Sequence, residues 1–445
     1  MNLSIMRWSI AVIAAISLTS SGHAQAQLDV HTCQLTNGMK ILLLEDHSIP
    51  NVALYFFHRV GSRNEHTGIT GLSHFFEHMM FNGAKKYGPK EFDRVMENAG
   101  GSNNAYTSED VTVYQDWFPS SALSLIFDME ADRTSSLAFD PQMVESERGV
   151  VANERRLSVE NNNEDSLHEQ LVASAFTAHP YHWPVIGWMV DIENWKRQDL
   201  IDYFKIYYAP NNCEMVMVGD FETTKAIELA KQYLEPIPAQ PAPRPVTTTE
   251  PEQNGERRVT IHRAAQLPSL QVAYHIPAST DPDTIPLEVL EYILLRGESS
   301  RLYQRLVDKE QVAISVSGGQ SPHIDPFLFE FYIQPGAGVP VEQAEKLLYE
   351  ELDRIQTELV STNELQKAKN TALADFYRSM KTISGKANAL GTYDVILGDY
   401  HRLFNAPDLI NRVTPEQLQQ VAKKYFISRH RTVGILVPDT GTETH

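Results

Sequence analysis

Apolar residues recur along this chain in two rhythms. Residues 40–45 and 52–57 are nearly unbroken apolar runs of strand length, parted by a polar turn over 46–51. Residues 104–114 alternate β-branched and aromatic side chains with polar ones and read as a further strand. A 3.6-residue rhythm predicts helices over 89–99, closed by Gly100 and Gly101, and over 165–176. It also predicts long helices over 119–137 and 141–160, each opened by a proline in its first turn. A helix over 199–208 then precedes a strand over 214–220, and near the other end a helix over 416–426 precedes a strand over 431–439. Leu200 and Tyr207 match Leu418 and Tyr425 at the same separation, so both halves close on one helix-then-strand unit. That repetition predicts a duplicated α+β domain.

Between the halves, residues 236–245 hold five prolines, which stiffen an extended linker running on to Asn254. The expected architecture is two homologous α/β-sandwich domains, at 27–235 and 255–445. Each is a mixed, mainly antiparallel sheet with helices packed on it, joined by the proline-rich linker 236–254. The 445 residues are enough for two substantial cores.

The first 26 residues stand outside this pattern. Arg7, an apolar run over 8–18 and Ala24-Gln25-Ala26 have the order of a cleavable export signal, with an apolar core too short to span a bilayer. The mature chain is expected to begin near Gln27 and to reside in the periplasm, with no stable membrane insertion. A formal net charge of −19 argues against nucleic acid and anionic membranes as partners. Two cysteines, Cys33 and Cys213, cannot build a zinc finger; they either pair as one disulfide or stay buried as thiols.

The chemistry concentrates in residues 70–83. His74, Glu77 and His78 fall at i, i+3 and i+4 of a short helix, hence on one face, and Gly83 suits a left-handed turn beyond its end. Two imidazoles one turn apart can hold a divalent metal, and the carboxylate between them can take a proton from a water beside it. This is the H-x-x-E-H order of the inverzincins. Phe75, Phe76, Met79, Met80 and Phe81 make the surroundings apolar, where polar groups need partners. A catalytic zinc takes a third protein ligand. The helix after Pro141 offers Glu147 and Glu154, two turns apart on one face, but Arg148, Arg155 and Arg156 are equally available as ion-pair partners. Spacing alone leaves Glu154 open between those two roles.

His74-x-x-Glu77-His78 with a glutamate 76 positions beyond His78 (154 − 78) resembles the pitrilysin or insulinase family of zinc metallopeptidases. The likeness extends to residues 61–65, 100–107 and 299–303, and the two-domain length is similar to the subunits of mitochondrial processing peptidases. The resemblance implies one Zn²⁺ per chain on His74, His78 and Glu154, with Glu77 as general base and Glu147 supporting the ligands from behind. It implies peptide substrates added as an antiparallel strand along Asn104, Ala105, Tyr106 and Thr107, inside a chamber closed by two such chains. One stretch departs from the family. An arginine and a tyrosine are expected at positions 307 and 314, where this chain has Val307 and Ile314. Arg301, Tyr303 and Arg305 lie nearby, but the simpler expectation is a heterodimer whose homologous partner brings the missing pair. The alternatives are a non-catalytic scaffold subunit, as in respiratory-complex cores, or a peptidase dedicated to one precursor.

Overall fold

The computed structural model describes residues 28–439, so the export signal read over 1–26 lies outside the described residues. The first sheet contains β1 (His31–Gln34), β2 (Lys40–Glu45), β3 (Asn51–His58), β4 (Ser102–Thr107), β5 (Thr112–Pro119) and β6 (Cys213–Gly219), in the order β1-β2-β6-β3-β5-β4. The second contains β7 (Arg257–Arg263), β8 (Ser269–Ile276), β9 (Ala313–Gly319), β10 (Phe327–Pro335) and β11 (Arg431–Pro438), in the order β7-β11-β8-β10-β9. Without β1, the two orders coincide strand for strand. In each sheet the first strand of the repeat pairs parallel with the last, β2 with β6 and β7 with β11, while the remaining pairs are antiparallel. The closing units agree as well: helices Arg197–Tyr207 and Pro415–Tyr425 each run through a 3₁₀ turn into β6 and β11, with Leu200 and Leu418 fully buried. The duplication read from the two chain ends is therefore a duplication of the whole sheet.

Alternate residues of β2, β3 and β6 enter different cores. Ile41, Leu43, Leu54, Phe56, Met215 and Met217 face the inner layer. Leu42, Leu44, Tyr55, Phe57, Val216 and Val218 face the opposite one. Burial on both faces is why 40–45 and 52–57 read as apolar runs and not as alternation. The opposite face is covered by helix Ile383–Val395 of the second half, through Ile383, Ala387, Leu390 and Val395. The first half reciprocates. Its helix Asn163–Ala175 lays Leu171 and Ala175 on Ala273 and Leu328 of the second sheet.

Two expectations need correction. Residues 104–114 are not one strand but the hairpin of β4 and β5, turning over 108–111. The Ser108 amide donates to the Val111 carbonyl at 2.9 Å, and the Ser108 hydroxyl accepts from the amides of Asp110 and Val111. Local side-chain bonds of this kind replace the ladder without disturbing the alternation on either side, so periodicity passes straight through the turn. Pro119 likewise ends β5, and the helix begins only at Leu123.

Residues 238–254 form no regular element, as the prolines require. They are nevertheless tied down: the Glu250 carboxylate accepts from the amides of Thr177, Ala178 and His179 at 2.8–3.0 Å. The cysteines are both free. Cys33 pairs with Ile41 on β2, and β2 separates β1 from β6, where Cys213 sits. Two strand spacings amount to about 10 Å, beyond disulfide reach.

Candidate metal centre

The motif residues form helix Leu72–Met79, whose Leu72, Phe75, Phe76 and Met79 are completely buried at i, i+3, i+4 and i+7. Phe76 stacks on Tyr203 at 5.7 Å and Phe75 packs on Trp195 at 5.0 Å, while the Tyr114 hydroxyl donates to the Phe76 carbonyl at 3.0 Å. These anchors fix the helix rotation and turn His74, Glu77 and His78 to the other side. The start of the helix is held by Glu65, whose carboxylate accepts from the amides of Gly71 (2.6 Å) and Ser73 (2.7 Å). A carboxyl group there satisfies unpaired first-turn donors, and its own burial raises its pKa to about 8. Gly71 is required at the entry: its φ is +87°, and a Cβ would collide with the Ile186 carbonyl. Beyond Met79 the chain passes through tight turns over 80–82 before Gly83, with φ of +105°, redirects it.

Helix Pro141–Arg155 brings the third group. Asp140 caps it by accepting from the amides of Gln142 and Met143, and its buried Val144, Val151 and Ala152 set its rotation. Immediately after Arg155 the helix widens into a π turn over 156–160. The three arginines offered as partners for Glu154 are engaged elsewhere. Arg148 donates to the carbonyls of Ile192 and Trp195, Arg155 forms a two-bond pair with Glu169 at 2.8 and 3.1 Å, and Arg156 lies 3.8 Å from Glu193. Glu154 faces the histidines instead: its Oε2 is 3.2 Å from His78 Nε2 and its Oε1 is 3.6 Å from His74 Nε2. One donor atom from each of the three residues falls within 4.8 Å of the others. A tetrahedral zinc with ligands at about 2.0–2.2 Å has ligand–ligand edges of about 3.3–3.6 Å; the Glu154 carboxylate approaches each histidine at about that spacing, though through a different oxygen for each.

The surrounding bonds suit a metal. His78 Nδ1 donates to Glu147 Oε1 at 2.8 Å, and Asn82 Nδ2 donates to Glu147 Oε2 at 2.6 Å. This leaves His78 Nε2 as the coordinating nitrogen, in the carboxylate–histidine arrangement that orients metal ligands. Burial would lower the His78 pKa, but its hydrogen bonds to Glu147 and Glu154 win and raise it to about 9, so a metal at Nε2 would displace that nitrogen's proton. Burial, with His78 beside it, lowers His74 to about 4 and keeps that ring neutral, as a ligand must be. His74 Nδ1 is buried with no hydrogen-bond partner among the described residues, while Nε2 faces Glu154 Oε1 at 3.6 Å. The Nε2 nitrogen, turned toward the Glu154 carboxylate and bonded to no other group, is the one open to a cation. Glu154 is held below its usual range, chiefly by His78. Burial raises Glu77 against the pull of Thr107, whose hydroxyl donates to Glu77 Oε2 at 2.6 Å.

Of the edge residues expected to take substrate, Ala105 and Thr107 face the motif helix, whereas Tyr106 points through the sheet and donates to Asn388 at 3.2 Å. Asn104 is exposed on the same strand. A cavity of about 330 Å³ opens beside the cluster, walled by His74, Glu154, His168, Val172, Trp183 and Ile186. Val307 packs into the second core and Ile314 is 57% exposed on β9. Arg301 is spent on Glu364 and Glu351, and Arg305 on Glu350, so neither is free to replace the missing arginine. Sequence reasoning missed Glu65 and Asn82 as supports, although both lie within or beside the segments that carry the family resemblance.

The second half holds an instructive counterpart. Helix Thr284–Leu294 lies between β8 and β9 as the motif helix lies between β3 and β4, and carries Glu288, Glu291 and Tyr292 at the spacing of His74, Glu77 and His78. No imidazole remains there. Glu291 is bound by Arg296 at 2.7 Å and by the Gln320 amide at 3.0 Å.

Known proteins bear on this arrangement. A family model described as "Insulinase (Peptidase family M16)" matches residues 40–187, and one described as "Peptidase M16 inactive domain" matches residues 194–372. The chain is 30% identical over 440 residues to the zinc protease PqqE of Helicobacter pylori, covering 96% of this chain and 98% of that one. A crystal structure of a protease from H. pylori superimposes with a TM-score of 0.90 at 29% identity, over 93% of this chain and all of that one. The periplasmic protease PqqL of Escherichia coli has the same fold (TM-score 0.77, 20% identity), with 93% of this chain covering 48% of that longer one.

Proposed function

Because the chain belongs to the insulinase family of peptidases, family M16, we propose that it is an exported, zinc-dependent endopeptidase. His74, His78 and Glu154 would hold the ion, and Glu77 would be the general base. The observation that carries this reading is the convergence of those three side chains from two helices, with His78 oriented from behind by Glu147. Zinc bound there supplies a Lewis acid that polarises the peptide carbonyl and acidifies the attacking water. Glu77 takes the proton of that water and later gives it to the leaving amine. Burial raises its pKa above the ordinary carboxylate value, the direction that favours a group accepting and returning a proton.

Substrate would be held by β4, the outer strand of the first sheet, which has no further strand beside it among the described residues. Backbone pairing along Asn104, Ala105, Tyr106 and Thr107 gives affinity with little dependence on sequence, and the adjoining cavity receives a side chain next to the metal. Small unfolded peptides inside a chamber of two related chains fit this mode. Because Val307 and Ile314 offer no donor and Arg301 and Arg305 are engaged, the partner chain would supply the arginine and tyrosine that stabilise the developing oxyanion. A purely structural subunit has no use for the converged set, which favours the catalytic reading.

The test is direct. The mature chain, isolated and zinc-loaded, should bind one zinc and cleave unstructured peptides slowly, stop on chelation, and gain about a hundredfold from a homologous subunit carrying the arginine and tyrosine. Peptide cleavage unaffected by chelation would refute the zinc reading. Full activity of the lone chain would remove only the partner.

A further inference from the structure

Thr107 lies on the strand expected to seat substrate, yet its side chain is committed elsewhere. We propose that Thr107 is a positioning residue for Glu77: its hydroxyl occupies one carboxylate oxygen, so that the other takes the proton, and its side chain, unlike its backbone, takes no part in binding substrate. The inference rests on the reading of Glu77 as the base.

Along β4 the inward positions are 103, 105 and 107. Asn103 donates to Asp93 at 3.0 Å, Ala105 packs into the inner core, and Thr107 donates to Glu77 Oε2 at 2.6 Å. A short hydroxyl-to-carboxylate bond is of the stronger, charge-assisted kind. The donor itself is rigid. Its backbone lies in the ladder opposite Thr112, and a β-branched side chain has a stiff χ1. Glu77, by contrast, has a long side chain, and among the described residues Thr107 is its one hydrogen-bond donor. Without that bond, nothing in the described structure fixes the carboxylate against rotation. With Oε2 engaged, Oε1 remains free to face the reacting water.

The second half supplies an internal comparison. On its helix, Glu291 stands where Glu77 stands on the motif helix, and Gly319 at the end of β9 lies against it. There the hydroxyl is absent, a Cβ on Gly319 would collide with the Glu291 carboxyl group, and Glu291 is fastened by Arg296 and the Gln320 amide. Within one chain, the hydroxyl is found in the half that has the imidazoles and is missing from the half that lacks them. Thr107 also joins two functions physically: its backbone belongs to the strand that would seat the peptide, and its side chain sets the base. The bond to be cleaved and the group that starts cleavage are thereby placed in one register.

The experiment compares Thr107→Val, which keeps the shape and removes the donor, with Thr107→Ser, which keeps the donor. The valine protein should lose about 10–100-fold in kcat, the scale expected for a misplaced catalytic group, with KM within about twofold. The serine protein should recover to within about threefold of the parent. Zinc content and melting temperature should not differ among the three, and Thr107→Ala replaces the valine variant should the latter melt early. With hydrolysis removed by Glu77→Gln, peptide affinity measured by fluorescence anisotropy should be the same for E77Q and for the double variant E77Q/T107V. A valine protein with unchanged kcat, a serine protein as impaired as the valine one, or weaker peptide binding by the double variant would each overturn the proposal. If the parent chain does not hydrolyse peptides at all, it is the peptidase reading that fails.

Discussion

At the scale of single residues, the centre combines a neutral imidazole with a strongly hydrogen-bonded one. Burial keeps His74 free of its proton, while Glu147 holds His78 through Nδ1 and is itself fixed by Asn82. Replacing Glu147 by Ala should therefore leave all three ligands in place but lower zinc affinity about 10–100-fold, as loss of such an outer partner commonly does. Competition with a chromophoric chelator would measure it, and an unchanged affinity would show that Glu147 does not orient His78. His74, Glu77 and His78 were legible from sequence because a single helical turn sets their geometry. Glu154 was not, since the contact that distinguishes a ligand from an arginine's partner lies 76 residues away and only the family resemblance favoured it. The fold draws Arg148, Arg155 and Arg156 to other acceptors and leaves Glu154 facing the two histidines. The bond between Thr107 and Glu77 was illegible for the same reason: it joins a strand to a helix.

At the scale of elements, apolar periodicity located most helices and strands, and it failed where side chains rewire the backbone. The 108–111 turn is the plain case, because Ser108 closes it without breaking the alternation. Periodicity also could not say which helix covers which sheet. Helix Ile383–Val395 approaches β3 so closely that Gly391 has no room for a Cβ beside the Phe57 ring. Gly391→Ala should consequently destabilise the protein by about 1–3 kcal/mol through overpacking, despite alanine's better helix propensity. Chemical denaturation would register the loss. Equal or greater stability would mean that this contact is loosely packed.

At the scale of the whole molecule, the halves are bound to each other by groups that carry protons. His168 pairs with Glu330 at 2.9 Å and His323 with Glu109 at 3.3 Å, each across the interface. Burial opposes the charge on both histidines, but their carboxylate partners prevail and raise both pKa values. On another side, burial raises Glu214 to about 9, and its neighbour Asp394 of the second half adds to the effect. A histidine with a raised folded pKa stabilises fully below its unfolded value of about 6.5, and that stability is lost as pH rises through the folded value. A carboxyl group with a raised folded pKa loses stability in the same direction, here up to about pH 9. At constant zinc load, the melting temperature should fall between about pH 6.5 and 9, and less steeply in a His168→Gln/His323→Gln protein. A flat profile would contradict this linkage. The halves themselves were foreseen from their matching ends, whereas their reciprocal covering was not, because it depends on contacts between residues 340 positions apart, such as Asp46 with Lys386. What the fold serves in the end is one converged centre, and Glu77→Gln tests it most directly. That protein should retain one zinc per chain with unchanged affinity and lose peptide hydrolysis by at least about a hundredfold. Hydrolysis at the parental rate, or loss of the zinc along with the carboxylate, would contradict the assignment of Glu77 as base and of His74, His78 and Glu154 as ligands.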